Sequence, residues 1–251
     1  MLRKNIFRFT LAFSVVLLAV CSSSCFYCIG GSNVVRTENR TSQVTTFNEI
    51  ELRGDFDINF EQDTIDNYEV LVEGDDNIIP YISTIVQGNR LIIEYNTSKC
   101  FNHSNDIDIN IKARDLSKLI ISGSGNAYSN KLITNTLDLQ ISGSGNINFR
   151  NDTLQTLSTN ISGSGNITLN GTTKSSELNI SGSGSFGGFE LLQGTCNATI
   201  SGSGSMEISF TDQLNANISG SGCIYYNGDP NHLKTNINGS GRVVHYQNSK
   251  K

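Results

Sequence analysis

Ile121-Ser122-Gly123-Ser124-Gly125-Asn126 returns, with small changes, at Ile141, Ile161, Ile180, Ile200, Ile218 and Ile237, at intervals of 18 to 20 residues. Its glycines are Gly123 and Gly125, Gly143 and Gly145, Gly163 and Gly165, Gly182 and Gly184, Gly202 and Gly204, Gly220 and Gly222, and Gly239 and Gly241. On both sides of each pair the chain alternates apolar and polar residues, as in Leu137-Asp138-Leu139-Gln140-Ile141 and Ile147-Asn148-Phe149. Period-two alternation belongs to an extended strand with one face inward and one outward. A unit this short cannot bury its apolar face alone, so units must stack in register. The expected fold is all-β, a parallel β-helix or solenoid with rungs of about 20 residues turned at Gly-Ser-Gly corners. The seven isoleucines then form one internal ladder, each worth about 1.5–3 kcal/mol of burial. Corner glycines are needed because stacked turns bring backbones too close for side chains. The Ser between them and the Asn or Ser after them are placed to hydrogen-bond along the stack.

Composition agrees. Of 24 Gly, 14 sit in the repeat, so the glycine content reports corners rather than a loose linker. With 37% hydrophobic residues and 2 Pro, neither a thick globule nor a collagenous or disordered chain fits.

The N-terminus reads as an address. Arg3, Lys4 and Arg8 precede the apolar run Leu11 to Val20 and then Cys21-Ser22-Ser23-Ser24-Cys25. That run is about half the roughly 20 residues a spanning helix needs, which favours a secretory signal over residues 1–24. A Cys after small residues resembles a lipoprotein processing site; Cys25 is preferred for lipidation, with Cys21 as the alternative. Acylation at that Cys would anchor the protein on a membrane without spanning it. Loss of the signal removes three basic residues and no acid, so the net charge moves from −5 to about −8. Nucleic acid is therefore excluded as a partner.

Residues 25–45 read as a polar tether, 46–120 as three to four irregular rungs with a cap, 121–245 as the regular solenoid and 246–251 as a tail. Cys28, Cys100, Cys196 and Cys223 are too widely spaced to specify a disulfide, and inert buried thiols are the expectation.

No catalytic, metal or cofactor residues emerge. His103, His232 and His245 share no ligand or triad spacing. Gly182-Ser183-Gly184-Ser185-Phe186-Gly187 spells a dinucleotide-binding string, but it is one copy of the repeat and no helix follows. The corners carry Ser and Asn where repeat-bound calcium would require carboxylates. What remains is an outward wall of Ser, Thr and Asn repeated at rung spacing. Such a wall can hold sugars or a partner protein through many weak contacts.

Phe47-Asn48-Glu49-Ile50-Glu51-Leu52, then Tyr68-Glu69-Val70-Leu71-Val72-Glu73-Gly74-Asp75-Asp76-Asn77-Ile78-Ile79-Pro80-Tyr81, then Gly88-Asn89-Arg90-Leu91-Ile92-Ile93, then Ser-Gly-Ser-Gly repeats, resemble the putative auto-transporter adhesin head GIN domain family of Bacteroidetes-type envelope proteins. The resemblance covers about residues 46–245 and implies a right-handed β-solenoid in an exported, lipid-anchored or secreted, non-enzymatic adhesin. It carries over no binding residues. A glycan or an envelope or host protein is the partner it leaves open, with a self-assembling structural role as the alternative.

Overall fold

The computed structural model describes residues 28–63, 65 and 68–246. The chain is built almost wholly of strands. The first nine are β1 (Ile29–Gly30), β2 (Val35–Asn39), β3 (Glu49–Gly54), β4 (Asp57–Gln62), β5 (Glu69–Asp75), β6 (Ile82–Gln87), β7 (Arg90–Tyr95), β8 (Phe101–Asn102) and β9 (Asp108–Ala113). The solenoid proper follows in β10 (Lys118–Gly123), β11 (Asn126–Ser129), β12 (Ile133–Gly143), β13 (Asn146–Gly163), β14 (Asn166–Gly182) and β15 (Ser185–Gly202). It ends in β16 (Ser205–Gly220), β17 (Cys223–Asn227), β18 (Leu233–Gly239) and β19 (Arg242–His245).

Parallel pairing aligns the repeat residue by residue. Ile121, Ile141, Ile161, Ile180, Ile200, Ile218 and Ile237 lie opposite one another in turn. The ladder continues beyond the repeat through Leu52 to Ile93. Each strand of a rung turns where its alternation breaks. In β13 burial alternates through Ile147 and Phe149, breaks at exposed Arg150 and Asn151, resumes at Asp152 and Leu154, breaks again at Gln155 and Thr156, and ends on Leu157, Thr159 and Ile161. With the glycine corner, those two breaks give each rung three sides. Asn151 takes φ +56° at its corner, a left-handed conformation that Asn tolerates better than most residues.

At the glycine corner the two glycines answer different demands. Gly182 adopts φ +135°, and a Cβ there would lie 2.5 Å from the Gly163 carbonyl oxygen one rung below. Gly184 is not in the left-handed region, but its Cβ would collide with the Gly165 carbonyl oxygen and lie 2.6 Å from Cγ2 of Ile161 in the ladder. The close approach is filled by hydrogen bonds: Ser183 and Gly184 both donate their N–H to the Gly163 carbonyl, at 2.9 and 3.0 Å. The expected side-chain ladder forms at the residue after the corner. Asn166 donates to Asn146 and Asn146 to Asn126, each at 2.8 Å. The middle Ser is held chiefly through its backbone, although the Ser221 and Ser240 hydroxyls meet at 3.0 Å.

Residues 46–120 depart from expectation. They make two rungs rather than three or four, and these stack out of sequence order. β3 and β4 lie directly under β10 and β11, whereas β7 and β9, later in the chain, lie on the far side of β3 and β4. Antiparallel strands then close that end: β6 on β7, β5 on β9 and β2 on β5. Reversal of direction terminates the parallel stack and covers its core.

The segment expected as a tether is part of this cap. β2 is hydrogen-bonded into the sheet, and buried Arg40 donates to the carbonyls of Ile82 and Ile79 at 3.3 and 3.4 Å. Cys28 and Cys100, expected as free thiols, form a disulfide across 72 residues with Cα atoms 4.4 Å apart. The pairing is invisible in spacing because the partners meet only after β1 pairs with β8. Cys196 does stay a buried thiol, its acidity suppressed by burial that pushes it up to about 12. Asp75, also in the cap, is buried. Burial would raise its carboxyl, but the Asn105 amide and the N–H groups of Ser104 and Asn105 outweigh that and hold it below the usual range.

Ile237, at the last described rung, is 42% exposed where Ile218 beneath it is 2% exposed, because no described residue stacks above it.

Inside the middle rungs one charge is unpaired. Asp152 is 1% exposed, and neither carboxylate oxygen has a well-formed hydrogen bond among the described residues. Burial pushes it up to about 7, the nearby Leu132 backbone offsetting only part of that.

Gly182→Ala should cost about 3 kcal/mol and Gly184→Ala about 1–3 kcal/mol in urea unfolding, while exposed Ser183→Ala stays within about 0.5 kcal/mol; equal effects at all three positions would refute the corner account. For Asp152, the folded state holds its proton above the unfolded value of 3.8, so stability is full below that pH and declines as pH rises toward 7. Asp152→Asn should therefore stabilise by up to about 4 kcal/mol at pH 8 and little at pH 4. Thermal melts at the two pH values would show a pH-independent difference if the carboxylate were solvated.

Candidate functional site

The residues singled out in the sequence divide cleanly. Cys25 and Cys21 lie outside the described residues. The fourteen corner glycines line up in two adjacent columns at one edge of the solenoid, where their role is to let backbones touch. No chemistry attaches to them, and the functional candidates come from the side that begins immediately after that corner.

This side is set by β11, the first residues of β13 to β16, and β17, with β4 and β9 at its capped end. Strand alternation sends every second residue outward. The outward column next to the corner runs Asp57, Asn126, Asn146, Asn166 and Ser185, hydrogen-bonded in series. Two residues further along, parallel register builds a second outward column: Asn110, Asn59, Tyr128, Asn148, Thr168, Gly187, Glu207 and Tyr225.

Two surface cavities open over that second column. One, of about 590 Å³, lies over Asn110, Asn59 and Tyr128 and is flanked by Glu61, Lys112 and Lys131. The other, of about 600 Å³, lies over Asn148, Thr168, Gly187 and Glu207 and is flanked by Arg150 and Glu190. Both are half-open depressions in the wall rather than enclosed pockets.

Tyr128 is 42% exposed and presents an aromatic ring to solvent between amide side chains. Its hydroxyl is pushed up by partial burial and by the charges of Asp57 and Asp108, so it stays protonated and able to donate. Asp108 is itself pushed up, first by burial and then by the Asp57 charge, with Asp106 and Glu73 adding to the effect and Asn59 opposing it. Asn59 Nδ2 donates to Asn110 Oδ1 at 3.2 Å, orienting both amides along the cavity floor. The arrangement offers a ring face and oriented amides, with charges of both signs close by. It offers no activated nucleophile, and among the described residues no cluster of three His, Cys, Asp or Glu is placed to hold a metal.

A second cluster was hidden from the sequence because its members are far apart in the chain. The Tyr95 hydroxyl lies 2.6 Å from His103 Nε2 and 3.1 Å from Asp55 Oδ1, with Tyr95 stacked on Phe101. Burial, then Asp55, pushes the Tyr95 hydroxyl well above its ordinary value, so it remains a donor. These contacts fasten the excursion between β7 and β9 to the corner at Asp55. They close the gap that a Gly-Ser-Gly turn fills elsewhere. His245 stacks on Tyr226 and likewise packs rather than reacts.

Comparison with known proteins places this geometry. A family model described as "Putative auto-transporter adhesin, head GIN domain" matches residues 46–230. Among solved structures, a putative adhesin from Bacteroides fragilis NCTC 9343 is similar with a TM-score of 0.82 at 26% identity, over 87% of this chain and 100% of that one. A putative lipid binding protein from Parabacteroides distasonis ATCC 8503 has a TM-score of 0.72 at 26% identity, over 87% and 99% of the two chains. A putative adhesin from Parabacteroides merdae ATCC 43184 has a TM-score of 0.69, again at 26% identity and over 87% and 99%. No curated protein matches.

Proposed function

The chain belongs to the putative auto-transporter adhesin head GIN domain family, and from that premise we propose that it is an exported, non-catalytic adhesin that binds glycans on the side of the solenoid carrying Tyr128. The observation that carries this reading is the exposed Tyr128 ring set among Asn59, Asn110 and Asn148 over a surface cavity. A pyranose has one apolar face, which packs on an aromatic ring, and a rim of hydroxyls, which amides bind as both donors and acceptors. The disulfide supports an oxidising, exported location. The lipid-binding name of one neighbour is not carried to this chain, because Ile, Leu and Phe side chains fill its interior from rung to rung.

Lipidation at Cys25 would put the fold close to its membrane. Only two residues separate Cys25 from Cys28, which the disulfide fixes to the cap, so the three-step link reaches no more than about 11 Å. The base of the rod, rather than a long tether, would then set its height above the bilayer.

Each reading has its own test. The soluble protein should bind a subset of linear glycans on an array, and Tyr128→Ala should lower that binding by about tenfold or more while leaving the melting temperature unchanged. A blank array, or binding indifferent to Tyr128, would sink the glycan reading. Metabolic labelling with an alkyne fatty acid should mark the protein in its native host and be lost in Cys25→Ala; label persisting in that variant would move the anchor to Cys21, and no label on the unaltered protein would rule out both.

A further inference from the structure

We infer that the two cavities are halves of one channel, and that the ligand is a linear, net-neutral polysaccharide lying parallel to the solenoid axis with about one sugar per rung. This rests on the glycan reading above and adds the ligand's shape, length and direction.

Three observations carry it. First, the cavities share a column: Asn110, Asn59 and Tyr128 floor one, and Asn148, Thr168, Gly187 and Glu207 floor the next, on consecutive rungs without a gap in register. Rungs are about 4.8 Å apart, so Tyr128 and Glu207, four rungs distant, are separated by about 19 Å along the axis. A pyranose unit in an extended chain advances by a similar length, so successive sugars meet equivalent positions.

Second, Gly187 is not required by the fold. Its backbone is not in the left-handed region, and a Cβ there would meet its nearest neighbour, Thr168 Oγ1, at an ordinary 3.4 Å. The adjacent Gly188 differs, since its Cβ would collide with the Phe186 ring. A missing side chain at Gly187 keeps the floor low where a larger residue would block passage between Thr168 and Glu207.

Third, the flanking charges cancel along the channel: Lys112, Lys131 and Arg150 against Glu61, Glu190 and Glu207. A polycation would meet repulsion at Lys131 and Arg150, and a polyanion at Glu190 and Glu207. A protein strand is disfavoured as well. This is the face of the sheet, and its backbone groups are already paired rung to rung, so an added strand would find no edge to extend.

Length dependence tests the proposal. Oligosaccharides of two to eight units from β-1,4-glucan, β-1,4-mannan and chitin would be titrated calorimetrically against the folded protein. For the series that binds, affinity should rise roughly tenfold or more from disaccharide to hexasaccharide and then level off. Gly187→Tyr, at a position with room for a side chain, should keep the melting temperature and reduce the hexasaccharide's affinity to the disaccharide's level. Glu207→Gln provides a second probe at the far end and should weaken the hexasaccharide more than the disaccharide. Affinity that stops growing at the disaccharide, with Tyr128→Ala still abolishing it, would overturn the channel and leave the glycan reading standing. Binding by no member of any series would overturn both.

Discussion

At every rung of the repeat the carbonyl of the first corner glycine receives N–H groups from the next rung, as Gly143 receives those of Ser164 and Gly165 at 3.0 and 3.1 Å. That contact allows no Cβ on either side. Because it recurs at the same place in every turn, it fixes the register of all three sides at once. A slip of one residue would put a side chain into the backbone contact and turn the Ile ladder outward. Burial of the Ile, Leu, Val and Phe side chains inside supplies the stabilisation, but the glycine contact decides which residues stack on which.

Register has a second consequence on the outside of the rod. Outward residues at the same register position on successive rungs form straight columns on the solenoid wall, so short polar variations in the sequence are read out as lines of side chains. The Asn ladder beside the corner is one such line, self-satisfied by hydrogen bonds and therefore a rigid rim. The next line, through Tyr128 and Gly187, carries one such bond, from Asn59 to Asn110, and its residues line both cavities. Structure and candidate function thus share one device: a fixed translational repeat that a repeating ligand can match.

The capped end obeys different physics. Parallel stacking cannot stop by itself, since each rung leaves an edge open. The chain stops it by doubling back: the rung of β7 and β9 is slid beyond that of β3 and β4 and sealed with antiparallel strands. The Cys28–Cys100 disulfide and the Tyr95, His103 and Asp55 contacts then hold the long excursion that replaces a glycine corner. The buried charge of Asp152 remains in the middle rungs as a built-in cost at alkaline pH.

The sequence by itself determined the solenoid, its period, its corners and its inward residues. Each of these follows from local periodicity, and a repeat states local periodicity seven times over. It also showed that the wall would be neutral and polar. Only the tertiary structure decided the out-of-order rungs, the disulfide, the ordered stretch read as a tether and the grouping of Tyr128 with Asn59 and Asn110. Those depend on contacts between segments as far apart as the 72 residues from Cys28 to Cys100, which are settled by where strands pair rather than by any local pattern. The same holds for Gly187. In the sequence it is one more glycine beside a glycine motif, and only the space around its Cα shows that the fold itself does not exclude a side chain there.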